Sequence, residues 1–371
     1  MQIGVPKEIK SQEFRVGLTP EAVGELAANG HSVYVETGAG QGIDASDEHY
    51  QQAGAHILPH AEAVFSKAEL IVKVKEPQPS ECELLGPQHI LFTYLHLAPD
   101  KALTDALMNS GATCIAYETV TDDQGRLPLL RPMSQVAGRL SAQAGAQALE
   151  SIFGGRGLLM GGVPGVMPAR VTVIGGGVVG QNAIQIALGM GADVTVLDRS
   201  PDVLERLSHQ FGPALKTLYA TGTSLEGAVV DSDLVIGAVL VSGAGAPKLV
   251  TRDMVKRMNS GAVLVDVAID QGGCFETSQP TTHADPTYVV DGVVHYCVAN
   301  MPGAVPRTST LALTNATLPH VLSLADQGWR EALRADSNLR NGLNVADGVL
   351  TCVPVAQSQG RSATSPEDIL G

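Results

Sequence analysis

The sequence predicts an α/β protein with two domains, each built around a mostly parallel sheet. Two regions of the chain alternate short apolar runs with amphipathic stretches, which is the pattern of consecutive βα units. A length of 371 residues exceeds what one hydrophobic core usually holds, so two domains are expected. Hydrophobic residues make up 44% of the chain but aromatic residues only 4%, so aliphatic side chains must form most of the core, as they do around buried parallel strands.

The first βα series lies in the N-terminal third. A helix is predicted near its start, because Thr19 can cap the N-terminus, Pro20 suits the first turn and Gly30 can end it. Four apolar runs rich in β-branched or aromatic residues predict strands. These runs are 31–35, 70–74, 90–94 and 113–117.

The second βα series begins near Arg170, after an Ala- and Gln-rich stretch, 133–153, that predicts a connecting helix. A further helix is expected after Pro302. The segment 342–356 has no βα pattern of its own, and we expect it to pack on the first domain. The strands predicted in this series are 171–174, 194–197, 234–237, 263–267 and 295–298.

Charge and cysteine content limit the partners and the compartment. A net charge of −14 repels phosphate backbones, so nucleic acid is not expected to bind. The five cysteines are scattered and odd in number, which favours a reducing compartment over a disulfide framework. The N-terminus has no signal-peptide pattern and the apolar runs are too short to span a bilayer, which predicts a cytoplasmic protein with no membrane attachment. No ligand spacing suggests a metal site.

A dinucleotide-binding motif opens the second series. The strand-like run VTVI leads into Gly175, Gly177 and Gly180 in the spacing GxGxxG, and a helical pattern follows from Val178 and Val179. The first glycine allows the tight turn, the second lets the backbone approach a pyrophosphate, and the third lets helix and strand pack closely. The alternative is a glycine-rich turn with no ligand. Because strand, glycines, helix and a terminal acid occur together, we favour a dinucleotide site at the helix N-terminus.

The terminal acid of this motif is Asp198, which ends the next predicted strand. A carboxylate there can accept hydrogen bonds from the adenosine ribose and would repel a 2′-phosphate, so NAD is predicted rather than NADP. Arg199 follows directly and can pair with such a phosphate, which weighs against this prediction.

Long segments along nearly the whole chain resemble the alanine dehydrogenase and transhydrogenase family. The N-terminal run MQIGVPKEIKSQEFRVGLTPEAV is similar to the family's opening signature. The segments VKVKEPQPSE, LFTYLHLA, RPMSQVAGRLS, GVMPARVTVIGGGVVGQNA, LVDVAIDQGGCFET and NMPGAVPRTST follow in the family's order. Within the family, these motifs resemble the alanine dehydrogenases most.

The resemblance implies two Rossmann-like, doubly wound domains with the active site in a cleft between them. A substrate domain would comprise 1–130 together with a returning C-terminal segment, 307–371, and the NAD-binding domain would be 131–306. The implied reaction is the interconversion of L-alanine and NAD with pyruvate, ammonium and NADH. Family members usually assemble as hexamers, so a homohexamer is expected.

The resemblance assigns Arg15 and Lys75 to substrate binding. A guanidinium can hold a carboxylate through two parallel hydrogen bonds, although on position alone Arg15 could be an ordinary surface residue. Lys75 is expected to bind the keto group or the carboxylate of pyruvate. Lys73 alternates with it along the apolar run IVKVKEP, which predicts both lysines on one face of a strand. For Lys73 we favour a structural role.

The resemblance assigns acid–base chemistry to His96 and Asp270. His96 follows a predicted strand, where α/β enzymes place catalytic groups, and imidazole titrates near neutral pH. A single histidine in such a place can equally be a hydrogen-bonded core residue. Asp270 is expected beside the nicotinamide, where it takes a proton from ammonium or water or stabilises the iminium ion. Asp266, in the same motif, and Glu118 are interpreted as structural.

Further positions match family residues that contact substrate or cofactor. The expected substrate contacts are Tyr94, Met133 and Asn300. The expected cofactor contacts, besides Asp270 and the glycine motif, are Ser134, Val239, Leu240, Ile269 and Met301.

Two other functions compete with this one. The chain could be the NAD-binding subunit of a proton-translocating transhydrogenase, but hydride transfer between nucleotides needs no organic acid to be bound and protonated. The chain could also be a non-catalytic NAD-binding protein. Because competent side chains fill Arg15, Lys75, His96 and Asp270, a dehydrogenase is favoured.

Overall fold

The computed structural model describes residues 1–239 and 247–371. They divide into two compact units. Unit 1 comprises Met1–Met133 and Val305–Gly371, and unit 2 comprises Ser134–Ala304. The assignment of a substrate domain and an NAD-binding domain to particular bounds remains a prediction.

Strands and helices are numbered in chain order over the described residues. The strands are β1 (Gln2–Val5), β2 (Ser32–Glu36), β3 (His56–Leu58), β4 (Leu70–Val72), β5 (Ile90–Thr93), β6 (Thr113–Ala116), β7 (Arg170–Ile174), β8 (Asp193–Asp198), β9 (Leu215–Tyr219), β10 (Leu234–Gly237), β11 (Val263–Asp266), β12 (Thr287–Val290), β13 (Val293–Tyr296), β14 (Leu343–Ala346) and β15 (Val349–Leu350). The helices are α1 (Pro20–Ala28), α2 (Asp47–Gln52), α3 (Ala61–Lys67), α4 (Pro79–Cys82), α5 (Lys101–Ser110), α6 (Arg131–Ala148), α7 (Val178–Gly189), α8 (Pro201–Phe211), α9 (Gly222–Val230), α10 (Arg252–Arg257), α11 (Pro306–Gln327), α12 (Trp329–Ala335), α13 (Ser337–Arg340), α14 (Val353–Gln359) and α15 (Pro366–Leu370).

The sheet of unit 1 has the order β15-β14-β6-β5-β4-β1-β2-β3. Its first six strands in sequence are parallel to their neighbours, and they run outward in both directions from the pair β1 and β4. The C-terminal hairpin of β14 and β15 extends this sheet antiparallel to β6. The predicted helix after Thr19 is confirmed as α1, and the Thr19 side chain caps it by accepting a hydrogen bond from the Ala22 amide.

The sheet of unit 2 has the order β12-β13-β11-β10-β7-β8-β9. Apart from β12, which pairs antiparallel with β13, its strands are parallel. Both sheets therefore contain the strand order 3-2-1-4-5-6 of a doubly wound Rossmann-like fold. The predicted fold class is confirmed. In such sheets ligands bind beyond the carboxyl ends of the strands where the order reverses, which is beside β1 and β4 in unit 1 and beside β7 and β10 in unit 2.

Two of the predicted strands differ from the structure by two residues at one or both ends, whereas the ends of the other predicted strands agree to within one residue. The strand predicted over 70–74 ends at Val72, and beyond it the Val74 and Lys75 amides donate to the Glu8 carboxylate. The expectation that Lys73 and Lys75 share one face of a strand is therefore wrong. The strand predicted over 295–298 is β13, which starts two residues earlier, after a tight turn at Asp291 and Gly292.

Candidate active site

The glycine motif forms the turn between β7 and α7 in unit 2. Gly175 has a φ of +97°, and a Cβ there would lie 2.8 Å from the Ala238 carbonyl oxygen. A Cβ on Gly180 would lie 1.8 Å from the Gly175 carbonyl oxygen, so only glycine allows α7 to pack this closely. A Cβ on Gly177 would meet nothing within 4 Å. No protein atom thus requires glycine at Gly177, which fits a position kept clear for a ligand.

Asp198 lies at the carboxyl end of β8, directly beside the glycine turn. Its two carboxylate oxygens accept hydrogen bonds from the Gly176 amide at 2.7 Å and the Ser200 amide at 2.8 Å. Each oxygen has a further lone pair that can accept from a ribose hydroxyl. Arg206, on α8, donates to the Gly176 carbonyl at 3.0 Å, whereas Arg199 is exposed. The acid therefore both fixes the glycine turn and remains half-exposed.

The N-terminus of α7 is suited to a dinucleotide pyrophosphate. Helix α7 has 12 residues and begins at Val178, so the amides of its first turn have no partners within the helix. Gly177 and Val178 are exposed and Val179 is half-buried. Free amides and the partial positive charge of a helix N-terminus bind phosphate groups. The residues present in unit 2 therefore fit the cofactor that the sequence predicts.

Asp270 lies in a short turn of 3₁₀ helix, Ile269–Gln271, just beyond β11. Asp266, at the end of β11, is fully buried and accepts hydrogen bonds from the Ala268 and Cys274 amides and from the Ser278 hydroxyl. These bonds hold both ends of the turn, and Asp270 itself is exposed. Asp266 thus has the structural role predicted for it, and Asp270 presents its carboxylate at the carboxyl edge of the sheet.

The other predicted cofactor contacts in unit 2 differ in burial. Val239 is half-buried and follows β10, beside Gly175. Ser134 is half-buried on α6, whereas Ile269 and Met301 are buried. Leu240 lies outside the described residues.

Asn300 has a left-handed backbone, with φ of +61°. Its carbonyl oxygen accepts from the Gly303 amide at 2.9 Å and contacts His283 Nε2 at 3.0 Å. These two contacts fix the turn in which Asn300 stands.

Arg15 is buried in unit 1, which excludes an ordinary surface arginine at this position. Only 2% of the residue is exposed. Its Nε and Nη2 atoms each donate to one oxygen of Glu13 at 2.6 Å, and its Nη1 donates to the Met133 sulfur at 3.1 Å. Glu13 therefore orients the guanidinium through two parallel charge-assisted bonds. Sequence reasoning missed Glu13, although its position two residues before the arginine was visible.

The two lysines after β4 have different environments. Lys73 is fully buried and its ammonium donates to Glu8 at 3.0 Å and to Glu81 at 2.7 Å. Lys73 is thus structural, as predicted. Lys75 is half-buried, and its carbonyl oxygen accepts from the Thr93 hydroxyl at 2.9 Å. That bond joins the segment of Lys75 to the end of β5.

His96 lies three residues beyond β5. It is exposed, has a left-handed φ of +51°, and its ring stacks on Tyr94 with centroids 5.7 Å apart. The Glu118 carboxylate accepts from the His96 amide at 2.5 Å and from the Leu95 amide at 3.1 Å. His96 is therefore not a hydrogen-bonded core histidine. Glu118 is structural, as predicted, and what it holds is the turn that carries His96.

Tyr94 is buried, and its ring stacks against the ring of His96. Its hydroxyl donates to the Leu129 carbonyl at 2.6 Å, and burial raises the pKa of Tyr94 far above the usual value for a phenol. The charge of Arg15 opposes that rise in pKa and the charge of Glu118 adds to it, so both groups lie near the ring. Tyr94 therefore stays a neutral phenol at neutral pH, and its buried ring can shape a pocket.

The structure thus brings the predicted residues of unit 1 together. Arg15, Met133, Tyr94 and His96 are linked by direct contacts or close charges, and Lys75 is on the segment bonded to the end of β5. This cluster lies beyond the carboxyl ends of β1, β4 and β5, where the strand order of unit 1 reverses.

Among residues 1–239 and 247–371, no group of three or more His, Cys, Asp or Glu could hold a metal ion. Within the same ranges, the helices are all too short or too polar to cross a membrane.

Comparisons with known proteins identify relatives along the whole chain. The family models "Alanine dehydrogenase/PNT, N-terminal domain" and "Alanine dehydrogenase/PNT, C-terminal domain" match residues 4–137 and 141–353. An alanine dehydrogenase of Halomonas elongata is 59% identical over 371 residues, with 100% of both chains covered. A solved L-alanine dehydrogenase has a TM-score of 0.95 at 53% identity, covering 97% of this chain and 99% of that chain. A transhydrogenase from Sinorhizobium meliloti has a TM-score of 0.80 at 24% identity, covering 94% and 98%, and shows the fold alone.

Proposed function

This chain belongs to the alanine dehydrogenase/PNT family, and on that basis we propose that it interconverts L-alanine and NAD with pyruvate, ammonium and NADH. The observation that carries this proposal is the identity of 59% to an alanine dehydrogenase over the full length of both chains. The structure supports it with a buried cation, an exposed histidine and an exposed carboxylate at the carboxyl edges of the two sheets.

The family and the Rossmann-like fold imply a nicotinamide dinucleotide cofactor, and we propose NAD. The half-exposed Asp198 carboxylate can accept from ribose hydroxyls and would repel a 2′-phosphate. The proposed contacts of NAD are Ser134, Gly175, Gly177, Val178, Val179, Gly180, Asp198, Val239, Leu240, Ile269, Asp270 and Met301. When bound, the nicotinamide accepts or supplies the hydride.

The residues of unit 1 bind the organic acid in this proposal. Arg15, held rigid by Glu13, offers its guanidinium to the carboxylate of pyruvate or alanine, and Lys75 binds the carboxylate or the keto oxygen. Tyr94 and Met133 limit the site in unit 1 to a small side chain, and Asn300 of unit 2 is a further proposed substrate contact. Fixed cations reduce the loss of freedom on binding, because their orientation is set before the substrate arrives.

Proton transfer is assigned to His96 and Asp270. In reductive amination, His96 protonates the keto oxygen as the carbinolamine forms and loses water, and it takes that proton back in the oxidative direction. Its exposure suits this exchange. The exposed Asp270 accepts a proton from ammonium or stabilises the positive iminium carbon. Unit 1 then serves as the substrate domain and unit 2 as the NAD-binding domain.

We also propose that the enzyme is a cytoplasmic homohexamer. Free thiols at all five cysteines are compatible with a reducing compartment. Several large apolar side chains of unit 2 are exposed in the single chain, and self-association would remove them from water. They include Ile152, Leu159, Val163, Val166 and Met167.

The test of this function is the oxidation of NADH by the purified protein, followed by absorbance, with pyruvate and ammonium each omitted in turn. We expect oxidation only when both are present, and slower oxidation with NADPH. Oxidation that ignored ammonium would contradict amino-acid dehydrogenation. Hydride transfer to a second nucleotide, with no response to pyruvate, would instead support the transhydrogenase alternative.

A further inference from the structure

Three fully buried charges lie next to the proposed substrate lysine. The Lys73 ammonium is 0% exposed and binds the carboxylates of Glu8 and Glu81, which are 6% and 2% exposed as residues. Glu8 lies three residues beyond β1, and Lys73 is the first residue beyond β4. Because β1 and β4 are the neighbours at which the strand order of unit 1 reverses, this network lies at the expected ligand edge.

The two carboxylates of the network bind different parts of the backbone. Glu8 accepts through Oε1 from the Val74 amide at 2.7 Å and the Lys75 amide at 3.3 Å, while its Oε2 accepts from Lys73. Glu81 accepts from Lys73 through Oε1 and from the Gln78 amide through Oε2 at 2.8 Å. Of the two carboxylates, Glu8 is therefore the one that accepts from the backbone of Lys75.

A buried network of this kind has an energetic cost that a purely structural core would avoid. Desolvation opposes the charged forms of Glu8 and Lys73, and burial raises the pKa of Glu8 above its usual value. Apolar side chains of similar volume often replace buried ion pairs without loss of stability. What an apolar replacement cannot do is accept two backbone amides just beyond the end of a strand.

We propose that Glu8, oriented by Lys73, is a positioning residue that fixes the backbone of Val74 and Lys75 so that the Lys75 side chain meets the substrate. Lys73 holds Oε2 of the carboxylate, which turns Oε1 toward the two amides. Glu81 is the second carboxylate that pairs with the Lys73 ammonium, and it also accepts a hydrogen bond from the Gln78 amide. The proposal rests on the substrate role of Lys75 in the proposed function.

The substitutions Glu8→Gln and Glu81→Gln form a matched pair. Each removes one negative charge from the same buried network, leaves one Lys73–carboxylate pair and keeps the side-chain volume. In both variants one amide group must face Lys73 and a backbone amide, so its NH2 group meets a donor on one side, but only in Glu8→Gln are the affected backbone amides those of Val74 and Lys75. We expect the KM for pyruvate to rise about tenfold in Glu8→Gln, equivalent to about 1.4 kcal/mol. In Glu81→Gln it should stay within about threefold, and the NADH Kd should be unchanged in both variants.

Hydrogen exchange provides a measurement that does not depend on turnover. We expect faster exchange of the amides of Val74 and Lys75 in Glu8→Gln than in Glu81→Gln. If the wild-type protein were inactive with pyruvate, the proposed function would fail, while the exchange comparison would still report whether Glu8 holds Lys75.

Two results would overturn the positioning role. One is an equal rise of KM in both variants, which would indicate a general effect of the buried charge. The other is faster exchange in Glu8→Gln with an unchanged KM. If Glu8→Gln does not fold, Glu8→Asp replaces it, because the shorter carboxylate keeps the charge but cannot reach both Lys73 and the backbone amides, and the same tenfold rise is expected.

Discussion

The glycine motif allows a test that separates the needs of the fold from the needs of the cofactor. Gly180 and Gly177 belong to one motif but have opposite surroundings. A methyl group on Gly180 would lie 1.8 Å from a backbone oxygen, whereas one on Gly177 would meet no protein atom within 4 Å. Gly177 has a φ of −68° and a ψ of −163°, a conformation that alanine also adopts.

The substitution Gly180→Ala should therefore destabilise the protein and Gly177→Ala should not. The Gly180 methyl would clash with backbone, which no change of rotamer relieves, so we expect a loss of about 3 kcal/mol. That loss corresponds to a fall in Tm of roughly 5–10 °C. Gly177→Ala replaces a helix N-cap glycine with a poorer capping residue and should cost less than about 1 kcal/mol.

For cofactor affinity we expect the opposite ranking, with Gly177→Ala having the larger effect. The Gly177 methyl would occupy the space through which a pyrophosphate reaches the first amides of α7, so we expect the Kd of NADH to rise at least about tenfold. Thermal unfolding and NADH fluorescence titration measure the two effects separately. An unchanged NADH Kd in Gly177→Ala would refute the placement of the pyrophosphate, and an unchanged Tm in Gly180→Ala would show that the helix can shift.

Three further substitutions test other parts of the reasoning. His96→Ala should lower turnover at least about a hundredfold with NADH affinity unchanged; near-normal kcat would remove its acid–base role. Asp198→Ala should weaken NAD and narrow its advantage over NADP, and an unchanged preference would place discrimination elsewhere, such as Arg199. Burial lowers the pKa of His295. Between that lowered pKa and about pH 6.5, the unfolded chain therefore binds a proton that the folded protein does not. The free energy of unfolding consequently decreases as the pH falls through this range. His295→Gln should flatten that slope in denaturant melts at successive pH values, and an equally steep slope would assign it to other groups.

Local sequence patterns predicted nine of the twelve parallel strands, because βα alternation and GxGxxG are short-range signals, but β1, β3 and β9 were not predicted. The two hairpins were missed. The turns between β12 and β13 and between β14 and β15 are both Asp-Gly, at Asp291–Gly292 and Asp347–Gly348, and all four residues have positive φ. Asp-Gly between apolar runs is a strong signal for a two-residue hairpin turn. This signal is present in VVDGVV and NVADGVL, but it lies outside the βα pattern on which the predicted strands rest.

The partners of the site residues were harder to predict, because most of them, unlike Glu13, come from distant parts of the chain. Glu118 is 22 residues from His96, Glu8 is 67 residues from Lys75, and Met133 is 118 residues from Arg15. No periodicity within a strand or helix relates such pairs. Their proximity follows from the strand order, in which β1, β4, β5 and β6 are neighbours although long segments separate them. From a single sequence it is therefore easier to identify the reactive groups than the residues that hold them in place.

The backbone conformation of His96 shows why these supporting residues matter. Among residues 1–239 and 247–371, six non-glycine residues have positive φ, and His96 and Asn300 are two of them. A left-handed conformation costs a residue with a Cβ about 1–2 kcal/mol. Hydrogen bonds to a charged group contribute about 1.5–3 kcal/mol each, so the bonds from the Leu95 and His96 amides to Glu118 can offset that cost. The backbone that carries the exposed imidazole is thus held by a carboxylate that takes no part in the proposed proton transfer, just as Glu13 holds the Arg15 side chain and Glu8 holds the backbone of Lys75.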